Sequence, residues 1–357
     1  MALLAPLACN GDAAGDGSAG SGLTTASASA TQTTSAGTGA TSTGLSGTAT
    51  SGDSVSAGSS GSTTSSLKLD VGFGETETEG ETGDTSGCTK IDFLFVVDNS
   101  GSMSGEQDNL VASFDGFVTT MMATLENVKD YHVMVVDSDA WVFEGCEWEC
   151  MTFEDCAPNY EYECGITEPL ECEDVLGAGV VYPRGAATAN KACGFAEGQR
   201  YLESADVDFV SKFECAAKVG IGSTEEPELM MNALTAAVAS AGEAATCNAG
   251  FLRDDAILVV TFITDEDDDQ GDGSEGTPAS WKTALVSAKN EDPEAIVMLG
   301  LFGHDGCAEK SVRLEEFAAS FGDHGFTGSI CADSYDAFFA DAVAIIEGTC
   351  DDFMPPS

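Results

Sequence analysis

The sequence predicts a doubly wound α/β fold, a mostly parallel sheet flanked by helices, carrying a disulfide-rich insertion. Three observations lead there. Residues 91–97 (IDFLFVV) and 256–263 (AILVVTFI) are short, mainly apolar runs, the first rich in β-branched and aromatic residues, as expected of buried strands. Between such runs the apolar residues recur at helical spacing. Six cysteines, Cys146, Cys150, Cys156, Cys164, Cys172 and Cys193, crowd a stretch where that alternation stops.

In order along the chain, residues 91–97 form the first strand and end in the loop Asp98-Asn-Ser-Gly-Ser102. From Ser104 a helix follows, with Leu110, Phe114, Phe117, Met121 and Leu125 on one stripe. Residues 131–136 (YHVMVV) give the second strand and complete a βαβ unit with parallel strands. Residues 140–214 read as an insertion held by disulfides and not by a core. The alternation resumes with a helix over 226–239, striped by Leu229, Ala233, Leu234 and Ala237, and then the strand 256–263. A helix over 280–289, a strand over 295–301, a helix over 311–321, a short strand over 327–330 and a helix over 334–347 complete the pattern.

The chain has 357 residues, and its composition changes near residue 67. Residues 10–66 are almost entirely Gly, Ser, Thr and Ala, too polar and too small to offset conformational entropy by burial. Residues 10–87 are therefore expected to be a disordered linker, and residues 88–357 the folded domain. Net charge is −48, with 13 Lys and Arg against 61 Asp and Glu. Nucleic-acid binding needs basic side chains on phosphates, so that class is excluded. Thirteen cysteines point to an oxidising compartment, secreted or in the cell envelope. Residues 7–9 (LAC), after a short apolar start, look like the end of a lipoprotein signal, with Cys9 the lipidated residue and the one membrane contact expected. The alternative is a stray thiol. No segment beyond residue 9 is apolar enough to span a bilayer.

The loop after the first strand carries the chemistry. Open α/β sheets bind ligands beyond the carboxyl ends of their strands. Alternate residues of a tight loop, Asp98, Ser100 and Ser102, can aim one carboxylate and two hydroxyls at one point, a donor set suited to a hard cation such as Mg²⁺ or Mn²⁺, with Ca²⁺ also admitted. The competing reading is a turn that caps the next helix. Residues 91–103 (IDFLFVVDNSGSM) closely resemble the first strand and metal-ion-dependent adhesion site of von Willebrand factor A (integrin I-like) domains, with Asp98-x-Ser100-x-Ser102 matching D-x-S-x-S. The resemblance covers residues 89–347 apart from the insertion, and residues 248–268 look like a bacterial secreted subset of the family. It implies two further ligands: Thr224, or its neighbour Ser223, before the helix at 226, and Asp265 after the strand 256–263. Ser223-x-x-Glu226 is also a capping box, and Asp265 opens a run of acids; the run 267–272 lacks the spacing of an EF-hand loop and reads as a solvated loop. It further implies recognition of a protein partner, which donates a carboxylate to the cation.

The same family brings its termini together, which implies a Cys88–Cys350 bridge. Cys307 with Cys331, and Cys215 with Cys247, are the next pairs expected, leaving the six insertion cysteines to pair among themselves. No tight C-x-x-C spacing favours zinc. Three histidines, His132, His304 and His324, sit in no catalytic motif, so a binding module is expected and not an enzyme. The alternatives are a structural surface stalk and a metal-assisted hydrolase using Asp98 and Asp265.

Overall fold

The computed structural model describes residues 87–139, 171–184, 187–221, 228–268, 273–304 and 306–356. The expected linker and Cys9 lie outside them, as do Ser223 and Thr224. Strand β1 (Lys90–Val97) leads into helix α1 (Ser104–Thr124) and back through β2 (Asp130–Asp137). Then come β3 (Leu202–Glu203), α2 (Phe209–Ala217), α3 (Met230–Ala237) and α4 (Glu243–Cys247). Strand β4 (Ile257–Ile263) is followed by α5 (Pro278–Ala288), β5 (Ile296–Phe302), α6 (Val312–Ala319), β6 (Gly325–Ser329) and α7 (Asp336–Asp352).

The strands form one six-stranded sheet in the order β3-β2-β1-β4-β5-β6. All neighbours are parallel except the short edge strand β3, which pairs antiparallel with β2. Successive strand side chains point to opposite faces, and both faces are covered. Phe93, Phe95 and Val97 pack with α1, α2 and α7 on one side. Leu94 and Val96 pack with α3, α5 and α6 on the other. That is why β4, β5 and, from Phe93 onward, β1 read as mainly apolar runs and not as alternating ones. The stripe expected on α1 is buried throughout, from Leu110 to Leu125.

Two expectations need correction. The stretch expected to be held by disulfides alone contributes the edge strand β3 and helix α2, whose Phe213 is fully buried. Phe213 stacks on Phe114 of α1, ring centroids 3.4 Å apart, and packs edge-on against Phe95. Residues 202–217 thus belong to the main core, because an aromatic helix completes the cover over β1 and β2. The cysteines pair accordingly. Cys88–Cys350 and Cys307–Cys331 form as expected, but Cys215 joins Cys193 and Cys247 joins Cys172. Cys215 rides on α2, whose buried face turns it toward Cys193, while Cys247 ends α4 beside Cys172. The other four insertion cysteines lie outside the described residues. Four disulfides among the described residues point to folding in an oxidising environment. Among the described residues no helix is long and apolar enough to cross a membrane.

The segment 248–255 acts as a bracket at the lower edge of the sheet. Asn248 binds Gly177 and Gly179 through its amide. Arg253 holds buried Asp92 of β1 and Asp130 of β2 (2.8 and 2.6 Å), and His132 shares the Phe251 carbonyl at 2.8 Å. Asp92, His132 and Asn248 are thereby satisfied buried polar groups that tie loop to sheet.

Candidate metal centre

Strand connections run outward in one direction from β1 to β2 and in the other from β4 through β5 to β6. The carboxyl ends of β1 and β4 therefore flank the switch point of the sheet, where open α/β folds keep their ligand crevice. Asp98 follows β1, and Thr264 and Asp265 follow β4. The Asp98 amide donates to the Ile263 carbonyl at 3.0 Å, so the two ends are joined before any side chain is considered.

Asp98 is fully buried. One of its carboxylate oxygens accepts the Ser100 amide and the other the Thr264 hydroxyl, each at 2.6 Å. The Ser100 hydroxyl lies 3.3 Å from the Ser102 hydroxyl and donates to Asp265 Oδ1 at 3.3 Å. Four oxygen-bearing side chains expected from the sequence, Asp98, Ser100, Ser102 and Asp265, are thus brought together from segments 165 residues apart. Burial pushes the Asp98 carboxyl up to about 7, two hydrogen bonds oppose the shift, and the negative charges of Glu266 and Asp265 add to it. Side-chain hydroxyls and acids alone form this donor set, which fits a hard cation and not a soft one. Oxygen pairs 3.3 Å apart are close to the edge of a cation's oxygen shell. Among the described residues no group of three or more His, Cys, Asp or Glu side chains could hold a metal ion. A site of two acids and two hydroxyls does not depend on one.

Sequence reasoning missed a second layer around this loop. The Ser138 hydroxyl, just beyond β2, donates to buried Glu228 at 2.6 Å and accepts the Asn99 amide at 3.3 Å. Glu228 is pushed up to about 10 by burial and by the charges of Asp98 and Asp139, with the Ser138 hydrogen bond opposing. Asp137 is raised as well, by burial and by Asp139. Gln107 is buried and bonds both Asp98 and Gly220 through its amide. Its signal was available, since it lies three residues before Leu110 on the core stripe of α1. Nothing in the sequence marks Ser138 or Glu228, because neither sits in a motif.

Asp265 is braced from behind. The Glu309 amide donates to the Asp265 carbonyl at 3.2 Å. Glu309 ends a loop closed by the mutual His304–Cys307 backbone pair and tied to the loop after β6 by Cys307–Cys331. A Cβ on Gly303 would collide with the Glu309 carbonyl, so the close approach requires glycine there. His304 is exposed in that turn. Within the acidic run after Asp265, Asp268 is buried and not solvated. It accepts the amides of Met231 and Ser274, capping the start of α3. Arg313 donates to the carbonyls of Asp268, Ser274 and Gly276.

No family model matches the chain, and no curated protein matches it. Among solved structures it is similar to proximal thread matrix protein 1 of the mussel byssus, at 10% identity and a TM-score of 0.36. The match covers 73% of this chain and 49% of that one, so the chain spans about half that protein's length. A superposition so loose carries over neither fold detail nor function. The class defined here is an α/β domain with a carboxylate–hydroxyl site at the switch point of its sheet.

Proposed function

We propose that the chain is a von Willebrand factor A-like binding module of the cell surface, which holds Mg²⁺ or Mn²⁺ at the switch point and engages a protein partner through it. One observation carries the reading: a fully buried carboxylate, Asp98, is held by the Ser100 amide and the Thr264 hydroxyl under the charges of Glu266 and Asp265, while the Ser100 hydroxyl reaches the Asp265 carboxylate. A cation there relieves that repulsion, which is a favourable term only where desolvation has made the repulsion strong.

Asp98, Ser100, Ser102 and Asp265 would hold the ion, with Thr224 as the ligand that the resemblance supplies. The bound cation would offer an open position to a carboxylate of the partner. Asp98, anchored by the Ser100 amide and the Thr264 hydroxyl, fixes the orientation of the loop. Asp265 is fixed by the Glu309 amide. The role is recognition, and no bond-making step is needed. The oxidising compartment read from the disulfides agrees with a surface location, for which Cys9 is the proposed lipid anchor.

Calorimetric titration of Mg²⁺ into the oxidised full chain should show one site, absent in Asp98→Ala. Identical titrations of both proteins would remove the adhesion-site reading and leave a structural surface domain.

A further inference from the structure

We infer that the Cys307–Cys331 disulfide is a thiol-exchange site, opened by a small dithiol that attacks Cys331, and that its opening frees the loop bracing Asp265. The bond joins the loop after β5 to the loop after β6. Among the described disulfides it stands apart by access. Cys331 is exposed and Cys307 half-buried, whereas both cysteines of Cys88–Cys350 and of Cys193–Cys215 are buried and those of Cys172–Cys247 are half-buried. Exchange requires a thiolate to reach a disulfide sulfur, so exposure selects both the bridge and the sulfur attacked.

A hydroxyl stands beside the sulfur that leaves. Ser329 Oγ accepts the Cys331 amide at 3.2 Å and lies 3.4 Å from Cys307 Sγ. A disulfide sulfur carries no hydrogen, so in the second contact the hydroxyl donates. Attack on Cys331 Sγ breaks the sulfur–sulfur bond and sends its electron pair to Cys307. The Ser329 hydroxyl stabilises the departing thiolate, which then takes a proton from water; a stabilised thiolate leaves faster. The second thiol of the reagent attacks the mixed disulfide on Cys331. The dithiol ends as a cyclic disulfide, oxidised by two electrons, and both cysteines end as thiols.

What the bond holds reaches Asp265. Cys307 and His304 exchange two backbone hydrogen bonds, at 2.8 and 2.9 Å, and two residues further on the Glu309 amide donates to the Asp265 carbonyl. The loop has little else to hold it. His304, Gly306, Ala308 and Glu309 are exposed, and Ala308 sits at φ 53°, a left-handed conformation that costs alanine energy. A segment with few buried contacts opens locally once its covalent tie is cut. The inference concerns this loop and needs no bound cation.

The test exposes the oxidised full chain to limiting dithiothreitol, traps free thiols with iodoacetamide at intervals and maps them by mass spectrometry. Cys307 and Cys331 should be trapped first, about tenfold faster than the cysteines of the other three described bridges. Ser329→Ala should slow this pair about threefold, and Ser329→Thr, which keeps the hydroxyl, should restore the rate. Hydrogen exchange then compares the oxidised chain, the chain with this bond reduced and the Cys307→Ser/Cys331→Ser double variant. Exchange at Glu309 should rise about tenfold in both opened forms, with β1 unchanged. The reduced chain carries the comparison should the double variant fail to fold. Another described bridge opening as early, a wild-type rate in Ser329→Ala, or unchanged exchange at Glu309 overturns the proposal. So does an equal rise in β1, which would mark general unfolding.

Discussion

On the cation-binding proposal, a proton and a cation would compete for the Asp98 oxygens near neutral pH. In the folded, metal-free protein burial raises its carboxyl from 3.8 to about 7. A raised carboxyl binds its proton more tightly folded than unfolded, so the metal-free protein loses stability as pH climbs between those values. The cation takes the ionised form, so its stabilising effect grows over the same window. The rise in melting temperature on adding Mg²⁺ should therefore be larger at about pH 8 than at about pH 5.5. Equal rises would show that Asp98 is not a ligand. At this scale the loop residues were legible, because a tight turn after a buried strand has few directions in which to aim its side chains. Ser138 and Glu228 were not, since a polar residue on one element declares its role only when the element it meets is known. Asp268 was misread for the same reason: a carboxylate amid five acids looks solvated until the helix end it caps is in place.

Helix α2 shows how an element can be hidden within a segment of mixed composition. Its flanks are rich in Cys, Gly and acids, and that average masked nine helical residues with Phe209 and Phe213 one turn apart. The long strands and α1 stood out because their periodicity runs uninterrupted. If α2 belongs to the core as the ring stacking indicates, Phe213→Ala should cost about 3–5 kcal/mol in a denaturant titration, the range for a buried phenylalanine. A loss below about 1 kcal/mol would mark α2 as a peripheral attachment. One of the three expected disulfide pairs, Cys215 with Cys247, differs at this scale too. Cys215 bridges to Cys193 and not to the expected Cys247, because the bridge follows the face of the helix on which it rides.

For the whole molecule, the structure agrees with an α/β sheet covered on both sides, and its ends are clamped. The Gly87 amide donates to the Phe353 carbonyl and the Cys88 amide to that of Cys350, alongside the Cys88–Cys350 disulfide. Replacing both cysteines by serine should lower unfolding free energy by about 5–6 kcal/mol if loop-closure entropy over the 262-residue separation sets the effect. Mg²⁺ titration of the folded variant should be unchanged, because the bridge lies at the lower edge of the sheet and Asp98 at the upper. A lost cation site would show that the two edges are coupled. That separation has a mechanical meaning. A load applied at residue 87 would enter the domain through β1 and, by the Cys88–Cys350 bridge, through α7; against the proposed partner at Asp98 it would run along β1. This strand is bonded on one side to β2 and on the other to β4, both parallel to it. Tension along it must shear both ladders at once and cannot peel them bond by bond, so the central strand serves as the tie-rod of the domain.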